Sequence, residues 1–424
     1  MNNKKSHYIH ALLIVFLWLA SHALPLQAQR NEIFNDRIQS LQVTADDNWM
    51  SLPIYELNNG QITISFDDMT HDYHRYAYKI EHCEADWTTS EQLFDNDFCE
   101  GFVSDNLIDD AQQSILTNRL YTHYTFTLPN SQCKPKMSGN YRVTVYDDED
   151  DQKPVFSACF MVREPAASAM GVSLNATANT DRGINGSYQQ VAMKVSYGPY
   201  KVTDPQKQLH TVLLQNSRWD DARLNARPQY VQADGLVWTH NPQYIFQAGN
   251  EYRKFEILST HVASMGIESI YWDGTDNHAY PFISEPRANY LYDVDADGAF
   301  LIRNSDNTEV NTTSDYMMVH FRLRCPEPVK GDVYINANWT QDRFLPRYRM
   351  EYNDSTHCYE AQVLLKLGYY SYTYLLVTPG AKPIIMPTEG SFYQTENRYQ
   401  ALVYYRPIGG RTDQLVGYAE MKTQ

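Results

Sequence analysis

Residues 364–377 read LLKLGYYSYTYLLV, residues 389–399 read EGSFYQTENRY, and residues 400–407 read QALVYYRP. In the first segment Tyr370, Tyr372, Tyr374 and Leu376 fall on one side, and Ser371, Thr373 and Leu375 on the other. That is a period of two, the period of a strand. Residues 400–405 repeat the chemistry after a loop punctuated by Pro379, Gly380, Pro383, Pro387 and Gly390. The pattern predicts two aromatic strands joined as a hairpin, with tyrosines on one face buried and any functional tyrosines on the outward face or in EGSFYQTENRY.

Working outward, 33 tyrosines against 16 Phe and 7 Trp favour pleated, half-buried surfaces. A chain of 424 residues suggests about three domains. The expected fold class is all-β, three consecutive β-sandwiches of immunoglobulin-like or early-set-like type following a signal peptide. Lys4 and Lys5 precede an apolar run over 11–20, with small residues at Ala23 and Ala28. This reads as a secretory signal over 1–28, because the run falls short of the about 20 residues that span a bilayer. No cysteine lies near the cleavage point and no later segment is apolar enough to span, so the mature chain is expected to be neither lipid-anchored nor membrane-spanning. The formal charge is −16, and loss of Lys4 and Lys5 with the leader takes it two lower, to −18. Such a surface repels phosphate backbones, which excludes nucleic acid as the expected partner.

Residues 30–163 read as the first sandwich. Ile62, Ile64 and Phe66 alternate with Thr63 and Ser65; Tyr124, Phe126 and Leu128 with Thr125 and Thr127; Tyr141, Val143 and Val145 with Arg142 and Thr144. DDEDD at 147–151 is an exposed turn, since five like charges do not stack in a core. Residues 163–171 (REPAASAMG) have linker composition. A second β domain is expected over 172–288 and a third, early-set-like sandwich over 300–407, leaving 408–424 as a C-terminal tail.

Cys83, Cys99, Cys133, Cys159, Cys325 and Cys358 lack CxxC spacing, so zinc has no support. Sequence alone does not choose a disulfide pairing; Cys83 with Cys99 is the nearest pair, and burial as small hydrophobes is the alternative. Asp293, Asp295, Asp297 and Gly298 match the opening of a calcium loop, but the twelfth position is Asn304, which lacks the bidentate carboxylate. A solvated Asp/Gly turn is the expected reading. His71 and His74 read as turn histidines. There is no GxSxG, HExxH or phosphate loop, and acid pairs carry no information in a chain with 51 acidic residues. No catalytic, metal or cofactor residue is expected.

VYINANW (333–339), RMEY (349–352) and LGYYSYTYLLV (367–377) resemble the early-set sandwiches used as starch-binding modules. That resemblance implies a sugar platform of Trp339, Tyr370 and Tyr372; burial of those rings in the core is the competing reading.

A wider resemblance rests on HCEADW (82–87), EGF (100–102), YTHYTFTLPN (121–130), SGNYRVTVY (138–146), QNSRWDDA (215–222), AGNEYRKFEI (248–257), LKLGYYSYTY (365–374), EGSFYQTENRY and VYYRP (403–407). Their order and spacing resemble the plug proteins of the type IX secretion system of Bacteroidetes-type bacteria. Cys99 and DVDADG (293–298) depart from that pattern. The resemblance implies a non-enzymatic periplasmic protein without cofactor or small-molecule substrate. It would dock on a large outer-membrane barrel and plug the periplasmic end of its pore. It supplies no catalytic residues and no map of the interface. The alternative expectation is an extracytoplasmic carbohydrate-binding protein of a glycan-uptake system.

Overall fold

The computed structural model describes residues 31–423; the expected signal peptide lies outside them. Strands are the dominant regular structure of the described chain, its α-helices limited to Asp95–Phe98, Pro205–Gln208 and Val310–Thr313. No helix among the described residues is long and apolar enough to cross a membrane.

The first body follows the alternation closely. A four-stranded sheet (Ile38–Ala45, Ile62–Asp68, Thr122–Leu128, Asp110–Gln113) faces a six-stranded one built on Tyr76–Cys83, Gly139–Asp147 and Lys153–Arg163. Phe66 marks the seam: it stacks on Tyr124 at 5.1 Å and meets Tyr76 and Phe156 edge-on at 5.3 and 4.7 Å.

The opening stretch is not a hairpin. Arg398–Tyr405 pairs antiparallel with Leu209–Gln215, matching Leu213 to Ala401. Gly368–Val377 pairs with Arg253–Ile257 and Asp332–Asn336. Both partners are distant in sequence, and a period of two identifies a strand without identifying its neighbour. The third body therefore interrupts the second: the chain leaves the second body after Ile245–Gln247, in its five-stranded sheet, and returns at Arg398–Tyr405, in its four-stranded sheet. The boundaries at 288 and 407 accordingly cut through sheets. Arg253–Ile257, Ile267–Trp272 and Asn277–Pro281, expected in the second domain, lie in the ten-stranded sheet of the third. The expected tail holds a nine-residue strand, Gln414–Lys422, paired along Arg398–Tyr405. Gly417, an unfavourable strand residue, hides it; a Cβ there would meet Val172 Cγ2 at 2.8 Å and Val403 Cβ at 3.1 Å, so the close approach requires glycine.

Both strands of the opening stretch are buried on both faces. Tyr370, Tyr372 and Tyr374 enter the third core with Phe255, Phe321 and Trp339. On the reverse side Ser371, Thr373 and Leu375 are also buried. Tyr399, Ala401 and Val403 enter the second core, while Leu402 and Tyr404 pack against the first body. No outward tyrosine face remains on either strand.

Tyr370→Ala and Leu375→Ala are each expected to destabilise by about 2–5 kcal/mol, read as lower thermal midpoints. A Leu375→Ala protein that melts with the wild type contradicts burial of that second face.

Candidate functional site

The chemistry of this molecule is concentrated where its three bodies meet. The first joint lies between the first and third bodies. Along Ile62–Asp68, Phe66 points into the first core, so Asp67 points away from it, toward the third body. There it meets Lys366, the last residue of Cys358–Lys366. Lys366 Nζ lies 2.6 Å from Asp67 Oδ2 and donates to the Asn311 carbonyl at 2.7 Å. Tyr316 Oη donates to the same carboxylate at 2.6 Å, and His123 Nδ1 lies 2.7 Å from its other oxygen. The ammonium also sits 4.0 Å from the centre of the Tyr121 ring. Both charged groups are 1% exposed. Burial alone pushes the Asp67 carboxyl up, but Lys366 and the His123 hydrogen bond outweigh it and hold it below its ordinary range. Burial draws the Lys366 ammonium down, and Asp67 only partly offsets that. A rim of hydrogen bonds closes the joint: Asp315 accepts from the Asn118 and Arg119 amides, and Arg119 clamps Asp276 with two bonds of 2.8 and 2.7 Å.

The second joint, between the first and second bodies, has an apolar centre. Leu52, Cys83, Trp87 and Met161 pack on Val212, Trp219, Leu402, Tyr404 and Leu415, with Trp87 edge-on to Trp219 at 5.8 Å. Its polar edge joins HCEADW to the C-terminal strands. Arg406 reaches Glu84 at 2.6 Å and Asp413 at 2.9 Å, Asp413 accepts from the Ala85 amide, and Tyr404 Oη donates to Asn140 at 2.8 Å. His82 sits inside this edge. Its Nδ1 is 2.9 Å from Ser90 Oγ, its Nε2 is 3.2 Å from the Ser138 carbonyl, and Ser90 in turn contacts Thr412. Burial pushes the imidazole down to about 4.

The third joint links the second and third bodies. Asp342 accepts from the Trp219 amide at 3.1 Å and from Asn336, beside the Arg218–Asp220 pair; burial and the Asp220 charge raise its carboxyl to about 7. On the second body's side, where the chain crosses between these bodies, Asn397 bonds Gln189, Asn216 and the Ala248 carbonyl. A cavity of about 90 Å³ lies where all three bodies meet, bordered by Trp49, Leu52, Ser217, Trp219, Phe300 and Asp342.

The calcium-like residues are dispersed into this network. Asp293 is exposed and pairs with Lys254 at 2.7 Å. Asp295 accepts from the backbone amides of Tyr252 and Asp297, and Asp297 lies 3.3 Å from Arg398 of the second body. The expected solvated turn is thus corrected: burial and the neighbouring Asp297 raise the Asp295 carboxyl to about 7, and Asp297 is 9% exposed. Among the described residues no cluster of three or more His, Cys, Asp or Glu could hold a metal ion. His71 and His74 sit in a turn, His71 against the Ser114 carbonyl at 3.3 Å and His74 against Thr70 at 3.1 Å. The implied sugar platform is not presented: Trp339, Tyr370 and Tyr372 are 7%, 1% and 4% exposed and pack on one another and on Phe321. The nearest pair by sequence, Cys83 and Cys99, fall in different packing clusters.

Periodicity missed Asp67, Lys366, Glu84 and Arg406, since it reports faces and not partners. The signal that was present lay in the non-periodic strings. HCEADW, QNSRWDDA, AGNEYRKFEI, EGSFYQTENRY and VYYRP, mixing aromatic with charged residues, all supply joint residues.

Lys366→Met leaves Asp67 buried without its counter-charge and is expected to cost about 3–5 kcal/mol, with partial recovery of the thermal midpoint in Asp67→Asn/Lys366→Met. A Lys366→Met protein of unchanged midpoint contradicts the pairing. His82 has a folded value below its ordinary 6.5, so its contribution is fully present above that pH and is lost as pH falls toward 4. The loss reaches about 3 kcal/mol for one such group. His320, lowered to about 4 by burial and His278, acts in the same window, so His82→Gln should flatten the pH dependence of stability between 6.5 and 4 by about one proton's slope. An unchanged slope contradicts a buried neutral His82.

Comparison with known proteins adds three findings. Residues 38–164 match the family described as "Type 9 secretion system plug protein 1st domain". A search of curated proteins finds no match. Among solved structures, the crystal structure of a hypothetical protein from Parabacteroides merdae ATCC 43184 is 36% identical and superposes with a TM-score of 0.89, covering 94% of this chain and 100% of that one.

Proposed function

We propose that this chain, which belongs to the type IX secretion system plug protein family, is a non-enzymatic periplasmic subunit that closes the periplasmic end of the outer-membrane translocon pore. The observation that carries the proposal is the set of joints. A pore wide enough for folded cargo leaks solutes unless its stopper holds its shape. Here ionic and hydrogen-bonded contacts join three bodies to one another, the buried Asp67–Lys366 pair and the partly exposed Glu84–Arg406 pair crossing between them. Hinging the first body from the third would expose two buried charges separately, which is costly.

A stopper must also release. That favours an interface of standard size, about 1,200–2,000 Å² in total, over an obligate apolar one. The tyrosines available for such a surface are not those of residues 364–407. Among the described residues Tyr73, Tyr230, Tyr271 and Tyr292 are exposed, with Trp272 and Leu291 beside two of them in sequence, and such amphipathic rings are the usual anchors of interfaces.

The test is recovery of the protein from detergent-solubilised outer membrane of cells that carry it. Co-purification of a large barrel protein, with recovery reduced in Tyr271→Ala/Trp272→Ala or Leu291→Ala/Tyr292→Ala, is the expected result. Recovery with no barrel protein at any protein level counts against the proposal.

A further inference from the structure

Six cysteines occur in the sequence, and all six are buried. Their placement separates one pair from the rest. Cys83 and Cys159 lie on Tyr76–Cys83 and Lys153–Arg163, with Gly139–Asp147 between them, so two inter-strand spacings, about 9–10 Å, part their backbones. That is beyond the span of a disulfide. Cys325 and Cys358 are neighbours, Arg324 being matched to Cys358 and the Cys325 amide bonding the His357 carbonyl. Successive residues face opposite sides, so Cys325 enters the third core with Leu323 and Tyr359 while Cys358 faces away from it.

Cys99 and Cys133 differ. They lie on Cys99–Gly101 and Cys133–Pro135, an antiparallel ribbon matching Cys133 to Gly101 and Cys99 to Pro135. Both cysteines fall on one face of that ribbon, in the first core, with sulfur atoms 3.4 Å apart. The backbone holds them there. Asn130 Oδ1 accepts from the amides of Gln132 and Cys133, both at 2.9 Å, and the Phe102 amide donates to the Gln132 carbonyl at 2.8 Å. Gly101 has φ of +98°, and a Cβ there would meet the Gln132 carbonyl oxygen at 2.1 Å, so the strands approach as closely as glycine allows.

We propose that Cys99 and Cys133 form a disulfide when the chain folds under oxidising conditions, stapling this ribbon to the first core. The oxidant is a small or protein disulfide. The Cys99 thiolate attacks one of its sulfurs, expelling a thiolate and leaving a mixed disulfide at Cys99. Cys133 then attacks the Cys99 sulfur and expels the second thiolate. Two electrons and two protons pass to the oxidant, which leaves as two thiols. Since both sulfurs are buried in the finished fold, exchange precedes closure of the core, and the bond then resists reduction. The staple fixes the corner that carries Phe94 and Phe102, exposed at 73% and 71%, and Asp97, which pairs with Arg411 of the second body at 2.8 Å.

The proposal needs an oxidising compartment and so rests, in cells, on the periplasmic reading; the chemistry is tested apart from it. Chain lacking residues 1–28, refolded with oxidised and reduced glutathione, denatured and treated with iodoacetamide, is expected to take up four labels instead of six. A single cross-linked peptide pair should carry Cys99 and Cys133. Six labels, or a cross-link that omits either cysteine, overturns it. The oxidised protein should melt higher than the reduced one, and the difference should vanish in Cys133→Ala; a difference that persists in that variant also overturns it. The same count on protein from cells, with thiols blocked at lysis, reports on location. Four labels in vitro with six in cells leaves the disulfide standing and overturns the periplasmic placement.

Discussion

Lys366 and Asp67, buried together, govern how the third body seats on the first. Each is buried to within 1% of complete exclusion from solvent, and each lies on a different body. A buried charge without its partner costs several kcal/mol, so neither surface is comfortable alone. The pair contributes little net stability relative to apolar packing of the same shape. What it does contribute is registration: Asp67, held by His123 within the first body, accepts from Lys366 and Tyr316 of the third at once, so the third body is placed by two donors on one buried carboxylate.

Registration at that joint propagates because strands serve two bodies. Arg398–Tyr405 is buried along its whole length, one face in the second core and Leu402 and Tyr404 against the first body. The third body is inserted into the second, so the chain enters and leaves it near Gln247 and Asn397, residues held by the bonds of Asn397 to Ala248 and Gln189. A discontinuous second body and a doubly buried strand leave few routes for one part to move without unpacking another.

Much of this was legible in the sequence, with a clear division. Strand existence followed from alternation at Ile62–Asp68, Gly139–Asp147, Tyr316–Arg324 and Gly368–Val377, where one face carries large side chains. Topology was not legible, because the partner of Gly368–Val377 is Arg253–Ile257, more than a hundred residues away. Two expectations differ from the structure. Residues 400–405 were joined to residues 364–377 because loop punctuation favours a local hairpin, whereas the pairing with Leu209–Gln215 is long-range. Residues 414–422, expected within a tail, form a strand along Arg398–Tyr405, where Gly417 permits the close approach of Val172. Some joint residues, such as Glu84, Trp219 and Arg406, stand in unpatterned strings, whereas Asp67 and Lys366 lie on regular strands whose alternation does not reveal that their second face meets another body.

Held by these joints, the three bodies behave as one cooperative unit. Differential scanning calorimetry of the chain without residues 1–28 tests it most directly. One transition, with calorimetric and van't Hoff enthalpies in agreement, is predicted for the wild type, separating into two when Asp67 and Lys366 are replaced by alanine. Two or more resolved transitions in the wild type, unchanged by that double substitution, contradict the claim.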